Sequence, residues 1–312
     1  MKAPWLFALL LCGSLLFSPL CVSQTHSALA WSEVVGTHYI VHPDQQYGFQ
    51  NNIPLKLDIW EPNGNEKPLP TVIYIHGGGW FFGDRTGAMP QLLPYFVRGW
   101  NVVNVEYRMS GQSLAPAAVE DGVCALRWVY RNAKKFHVDT DRIIVTGHSA
   151  GGHLSLMVGV FDPASGLDAS CPADFAWGDV PLKVAAVVNW FGISDVDDLL
   201  EGKDRKTYAV AWLGTQSDRE AIAKKVSPLT YVRPGLPPII TVHGDQDDVV
   251  PYSQAVRLHE ALTKAGDKNE LVTIHGGKHG LFSDQDTLRA YDKIWKFLSA
   301  NVPGLGLTEV SR

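Results

Sequence analysis

Ile143-Ile144-Val145-Thr146-Gly147-His148-Ser149-Ala150-Gly151-Gly152 is the stretch that decides how this chain folds. Its first four residues are apolar or β-branched without interruption, the pattern of a strand covered on both faces, as in a parallel sheet. Gly-x-Ser-x-Gly follows at once, and at a sharp strand-to-helix turn it leaves the serine hydroxyl exposed while the glycines let neighbouring backbone pass where a Cβ would clash. In a chain with 29 glycines the string alone is weak evidence. Its place directly after a strand gives it weight.

The same arrangement recurs upstream. Thr71-Val72-Ile73-Tyr74-Ile75 reads as another buried strand and runs into His76-Gly77-Gly78-Gly79-Trp80, a rarer string that offers backbone N–H groups to an oxyanion. Around these two segments the chain alternates. Strand 71–75 leads to a helix near Gln91 to Val97, and strand Asn101 to Glu106 leads to a helix from Pro116 to Lys135. In that helix Val119, Val123, Leu126, Tyr130 and Ala133 recur at spacings of three and four, the stripe of a helix packed on a sheet. Strands are expected at Val184 to Trp190, Ile239 to His243 and Leu271 to Ile274, with a last helix from Gln285 to Leu298. Val34 to Val41 and Leu55 to Trp60 read as early strands separated by a polar, turn-rich stretch.

Such alternation predicts an α/β fold with a mostly parallel central sheet, helices on both faces and right-handed crossovers. Ligands then gather at the carboxyl edge of the strands. The segments Phe161 to Val180 and Asp195 to Pro238 exceed ordinary connections and are long enough to fold over the site as a partial cap.

At 312 residues, 46% hydrophobic and 19% charged, the chain supports one large globular domain, expected over 31–302 with a tail at 303–312. Lys2 followed by the apolar run Trp5 to Leu20 predicts a secretory signal over 1–23, cut after Ser23 or alternatively after Ala30. Cleavage leaves a secreted or periplasmic protein with no stable membrane insertion. Losing Lys2 moves the formal net charge from −5 to −6, which argues against nucleic acid or anionic membrane partners. The mature chain keeps two cysteines, Cys124 on an expected helix and Cys171 in a loop, and the sequence leaves open a disulfide or two free thiols. Without a Cys-x-x-Cys pair, neither a redox centre nor a zinc ribbon is expected.

A serine hydroxyl is a poor nucleophile near neutral pH, so Ser149 needs a histidine base and a carboxylate that fixes its tautomer. After strand 239–243 comes Gly244-Asp245-Gln246-Asp247-Asp248-Val249-Val250-Pro251, and after strand 271–274 comes His275-Gly276-Gly277-Lys278-His279-Gly280. Both lie at the correct sheet edge and in the expected order of serine, acid, histidine. Asp245, Asp247 and Asp248 compete for the acid's role; His275 competes with His279.

With these motifs the chain resembles the α/β-hydrolase serine esterases, in particular the bacterial acetyl-, feruloyl- and xylan-deacetylating esterases related to the hormone-sensitive-lipase group. The resemblance covers roughly Leu55 to Leu298. It rests on His76 to Trp80 with Gly83, Tyr107-Arg108, Asp141-Arg142-Ile143, Gly147 to His153, Trp190-Phe191-Gly192 with Asp195, His243 to Asp247 with Val250-Pro251, and His279-Gly280. It implies Ser149 as nucleophile, Asp247 as orienting acid and His279 as base, with Gly78, Gly79 and Ala150 supplying oxyanion N–H groups. It also implies no cofactor, and a small-molecule or polysaccharide-linked ester as substrate. Two departures weigh against lipid substrates: the amino-terminal part reads as strands where lipase-like relatives carry a helical cap, and the acid motif resembles that of prolyl-oligopeptidase-type hydrolases.

Trp80, Phe81 and Phe82 are candidates to wall a substrate pocket, as are Trp190 and Phe191, although aromatic runs beside a sheet are as often core. His153, a turn after Ser149, reads as a packed, hydrogen-bonded residue, and Arg108 and Asp141 as ion-pair or turn residues. His275 and His279 lack a third ligand, so no metal is expected. The leading function class is an exported carboxylesterase acting on short-acyl or feruloyl esters. An arylformamidase-like amide hydrolase and a non-catalytic hydrolase-fold binding protein are the alternatives.

Overall fold

The computed structural model describes residues 38–171 and 182–305 together with Gly36. The chain divides into a leading unit, Met1–His38, and a compact unit, Tyr39–Arg312. The expected signal over 1–23, most of the strand start at Val34, loop residues 172–181 and most of the tail lie outside the described residues.

Eight strands form one sheet in the order β1-β2-β4-β3-β5-β6-β7-β8. They are β1 (Tyr39–Gln50), β2 (Ile53–Pro62), β3 (Leu69–Ile75), β4 (Asn101–Val105), β5 (Val138–His148), β6 (Ala186–Trp190), β7 (Ile239–Gly244) and β8 (Asn269–Ile274). β1 and β2 form an antiparallel hairpin and β2 runs antiparallel to β4; every pairing from β4 to β8 is parallel. The continuous apolar strands read from the sequence are the parallel, doubly covered ones, as their composition requires.

The first strand corrects the sequence reading. β1 does not stop at Val41 but continues through the polar stretch to Gln50, with register shifts between His42 and Gln45 and between Gln46 and Gly48. It then turns on Asn51-Asn52, both at positive φ (51° and 61°), the backbone that a two-residue hairpin with right-handed twist demands.

Helices cover both faces. Alternation along β3 sends Ile73 and Ile75 one way and Tyr74 the other. On the first face lie α2 (Ala117–Arg131) and α3 (Ala150–Gly159), so close that a Cβ on Gly122 would sit 3.2 Å from Val158 and 3.7 Å from Ile75. On the second lie α1 (Met89–Phe96) and α7 (Asp284–Asn301), joined by Tyr95 edge-on to Trp295 with ring centroids 5.5 Å apart. The segment between β6 and β7 folds into α4 (Thr207–Leu213) and α5 (Arg219–Lys225), and α6 (Ser253–Ala265) links β7 to β8.

A buried ion pair and a disulfide fasten this frame. Arg108, after β4, forms a buried bidentate pair with Asp121 of α2 at 2.7 to 3.0 Å, and its guanidinium also donates to Ala117 O. Asp141, read from the sequence as an ion-pair or turn residue, lies within β5, its N–H donating to Asp139 Oδ1. Cys124 and Cys171, left open by the sequence, form a disulfide that ties the loop after α3 to α2 with Cα atoms 5.3 Å apart. Finally, β4 lies on one side of β3 and β5 on the other, so the loops leaving β3 and β5 part to opposite faces and open a crevice at the carboxyl edge.

Candidate active site

Ser149 stands where β5 becomes α3, at φ 57° and ψ −119°, a conformation that L residues seldom adopt. Its N–H donates to Trp190 O on β6 at 2.9 Å, and its carbonyl accepts from His153 N at 2.9 Å, so the strain is held from both sides. Gly151 lets the turn pass under the neighbouring strand: a Cβ there would lie 2.0 Å from Ile75 O.

The loop after β3 is equally constrained. Gly78, at φ 119°, has no room for a Cβ, which would fall 1.8 Å from Phe82 O, and its carbonyl accepts the N–H groups of Phe81 and Phe82 at 3.0 and 3.1 Å. His76 donates from Nδ1 to Gly77 O at 2.8 Å and stacks on Tyr107, whose hydroxyl donates to His76 O. Among the described residues no acceptor takes the N–H groups of Gly78, Gly79 or Ala150. Ala150 is the first residue of α3, where a backbone donor has no intrahelical partner and the helix dipole favours negative charge.

The base and the acid arrive from β8 and β7. His279 Nδ1 lies 2.7 Å from Asp247 Oδ2, an acceptor, so Nδ1 carries the proton and Nε2 is free to accept from Ser149 Oγ at 2.9 Å. Asp247 Oδ1 accepts from Val249 N and Val250 N at 2.8 and 2.9 Å. Burial alone would push the Asp247 carboxyl up; hydrogen bonds from His243, His279 and Val250 outweigh it and hold the group well below the usual carboxylate range. The ring of Phe191 packs edge to face on His279, centroids 4.7 Å apart.

The competing groups go elsewhere. Asp245 pairs with His275 at 2.9 Å on the surface and accepts from Gly276 N, while Asp248 is exposed and offers its carbonyl to Lys206 Nζ. The structure therefore brings Ser149, His279 and Asp247 together out of three acids and two histidines.

A cavity of about 650 Å³ opens beside Ser149 and His279, walled by Gly78, Gly79, Phe81, Phe82, Phe191, Thr207, Tyr208, Ala211 and Val249. Two expected wall residues are corrected. Trp80 is fully buried, stacked on Trp212 with centroids 4.1 Å apart and donating Nε1–H to His153 Nδ1 at 3.2 Å. Trp190 lies behind the serine, stacked on His148 at 5.2 Å. In both cases strand or turn geometry points the ring into the core. Phe81 and Phe82 remain, 63% and 68% exposed at the cavity mouth. Thr207, Tyr208 and Ala211 carry no motif, and the only hint of them was the length of the segment that folds into α4; Val249 lies in the acid string but was not read as a wall residue.

α4 is fastened to the acid loop, since Lys206 Nζ donates to Asp248 O at 2.7 Å and Tyr208 OH donates to Val249 O at 3.0 Å. His153 bonds as a structural residue, with Nε2 donating to Val226 O at 2.7 Å. Burial pushes it down to about 4, and burial with the neighbouring His279 pushes His148 down to about 3.

Residues 57–262 match the model of the BD-FAE family. The chain belongs to the BD-FAE family. It is thus an α/β-hydrolase related to the hormone-sensitive-lipase group of esterases. Among curated relatives of this BD-FAE chain, Esterase LipQ of Mycobacterium tuberculosis is 28% identical over 249 residues, covering 75% of this chain and 58% of LipQ. The chain thus spans little more than half the length of that relative. Among solved structures, a truncated carbohydrate esterase from gut microbiota superposes with a TM-score of 0.72 at 27% identity, covering 84% of this chain and 98% of that one. Esterase 2 of the planctomycete Thermogutta terrifontis, with butyrate bound, superposes with a TM-score of 0.70 at 26% identity, covering 86% and 97%.

Proposed function

We propose that this protein is a serine carboxylesterase in which Ser149 is the nucleophile, His279 the general base and Asp247 its orienting acid. The relay from Oγ to Nε2 at 2.9 Å and from Nδ1 to Oδ2 at 2.7 Å carries the reading. His279 takes the hydroxyl proton as Oγ attacks the ester carbonyl, and the N–H groups of Gly78, Gly79 and Ala150 receive the oxyanion. The protonated His279 then gives its proton to the departing alkoxide, leaving an acyl-enzyme. Water, deprotonated by the same ring, releases the acid and restores Ser149. Asp247, anionic throughout, holds the tautomer and balances the imidazolium.

The finer reading is an exported esterase that removes short-acyl or feruloyl groups from polysaccharide. The cavity walls are chiefly aromatic or aliphatic, which suits an apolar or planar acyl group better than a charged one. The likeness to a carbohydrate esterase and to a butyrate-bound esterase supports the sugar-borne alcohol and the short acyl chain. Export is supported by the apolar leader and by the Cys124–Cys171 disulfide.

Ser149→Ala is expected to abolish p-nitrophenyl acetate hydrolysis with an unchanged circular-dichroism spectrum; retained turnover overturns the assignment. A parallel panel of acetylated xylan, methyl ferulate, N-formylkynurenine and p-nitrophenyl esters of rising chain length tests the substrate. Preference for the formamide overturns the polysaccharide reading.

A further inference from the structure

His243 is the penultimate residue of β7, four residues before Asp247, and none of its side chain reaches solvent. Its Nε2 lies 3.1 Å from Val250 O and 3.2 Å from Asp247 Oδ2, two acceptors. A ring nitrogen between two acceptors carries the proton. Nδ1 is buried and meets no partner among the described residues, so the contacts of the ring run through Nε2. A leucine would fill this apolar position but would strip the buried Val250 O of its donor and Asp247 Oδ2 of a neighbouring one, so the imidazole acts through Nε2.

We infer that His243 is a positioning residue for the proposed triad, its Nε2–H occupying the second acceptor direction of Asp247 Oδ2 so that the first faces His279. The carboxylate then accepts from Val249 N and Val250 N on Oδ1 and from His279 on Oδ2, while the single Nε2–H of His243, shared with Val250 O, stands 3.2 Å from Oδ2. With the backbone donors alone the carboxylate can swing about its Cβ–Cγ bond; the imidazole of His243 removes that freedom. The ring of Tyr252, edge-on at 5.7 Å, in turn limits the tilt of His243. The inference rests on the proposed esterase reading, and its test includes a readout independent of turnover.

Three variants are compared at pH 7 with p-nitrophenyl acetate. His243→Leu removes the donor and is expected to lower kcat at least tenfold with KM within twofold. His243→Gln, whose amide nitrogen reaches the place of Nε2, is expected to recover most of that loss, whereas His243→Asn, one bond shorter, is not. Nitrogen-15 spectra of histidine-labelled wild type read the tautomer directly: His243 is expected with a protonated Nε2 and a bare Nδ1, and the His279 Nδ1–H resonance is expected to move in His243→Leu. A His243→Leu protein with wild-type kcat, or a His279 resonance unmoved by that change, overturns the inference. If wild type itself hydrolyses no ester, the esterase reading fails, and the spectra alone decide whether His243 orients Asp247. Equal losses of kcat in the Leu and Gln variants, tracking a loss of thermal stability, reduce His243 to a core residue and also overturn it.

Discussion

Ser149 sits in a backbone region that glycine enters freely and other residues enter at a cost of about 1–3 kcal/mol. Two variants that lack the hydroxyl separate this strain from the chemistry. Ser149→Gly is expected to melt a few degrees above Ser149→Ala, with neither turning over ester; equal melting temperatures would mean that the turn stores no strain. At this scale the sequence was legible where a residue type is demanded and illegible where a direction decides. The glycines around Ser149 and in the loop after β3 are demanded by close approach, and both strings could be read. Asp245, Asp247 and Asp248 are chemically alike, and only the turn after β7 decides which of them reaches His279. Trp80 and Trp190 adjoin the site in sequence but point into the core, because neighbouring residues of a strand or turn face opposite ways.

The elements that position the site are held by buried polar contacts as well as by apolar packing. Arg108 and Asp121 fasten the loop after β4 to α2, and removing Asp121 leaves the buried guanidinium with the longer 3.5 Å contact to Glu120 as its carboxylate partner. Asp121→Ala is therefore expected to destabilise the protein by roughly 3–5 kcal/mol, seen as a large drop in the midpoint of urea unfolding. A change below 1 kcal/mol would show that solvent reaches the guanidinium. The parallel strands could be read because burial on both faces leaves an unbroken apolar run, and α2 because its apolar residues recur at spacings of three and four. Beyond Val41 β1 could not, since it pairs on one side only and carries Pro43, Asp44 and three glutamines, which leave only a polar, turn-rich stretch to read. α6 left a stripe of Ala255, Leu258 and Leu262, which the motif-led reading passes over. α4 and α5 are seven residues each, too short for a periodic signal to stand out.

Across the whole molecule, buried neutral histidines link stability to pH. Burial lowers His153 and His259 to about 4 and, with the influence of His279, His148 to about 3, against an ordinary value of 6.5. Below pH 6.5 the unfolded chain binds protons that these rings refuse in the fold, so stability is complete above 6.5 and falls as pH drops toward the folded values. Each ring contributes about 1.4 kcal/mol per pH unit within that window. Unfolding midpoints measured between pH 7 and 4.5 are expected to decline, and His153→Gln to flatten the decline while lowering the plateau. An unchanged slope would mean that His153 already accepts a proton in the folded protein. The fastening of α4 by Lys206 and Tyr208 bears on how a substrate gets in. Because that flank is tied by two hydrogen bonds to the very turn that presents Asp247, lifting it like a lipase flap would break both, and the entrance is expected to stand ready in plain water. Velocity is then expected to follow dissolved ester as a simple hyperbola, with no burst when droplets appear.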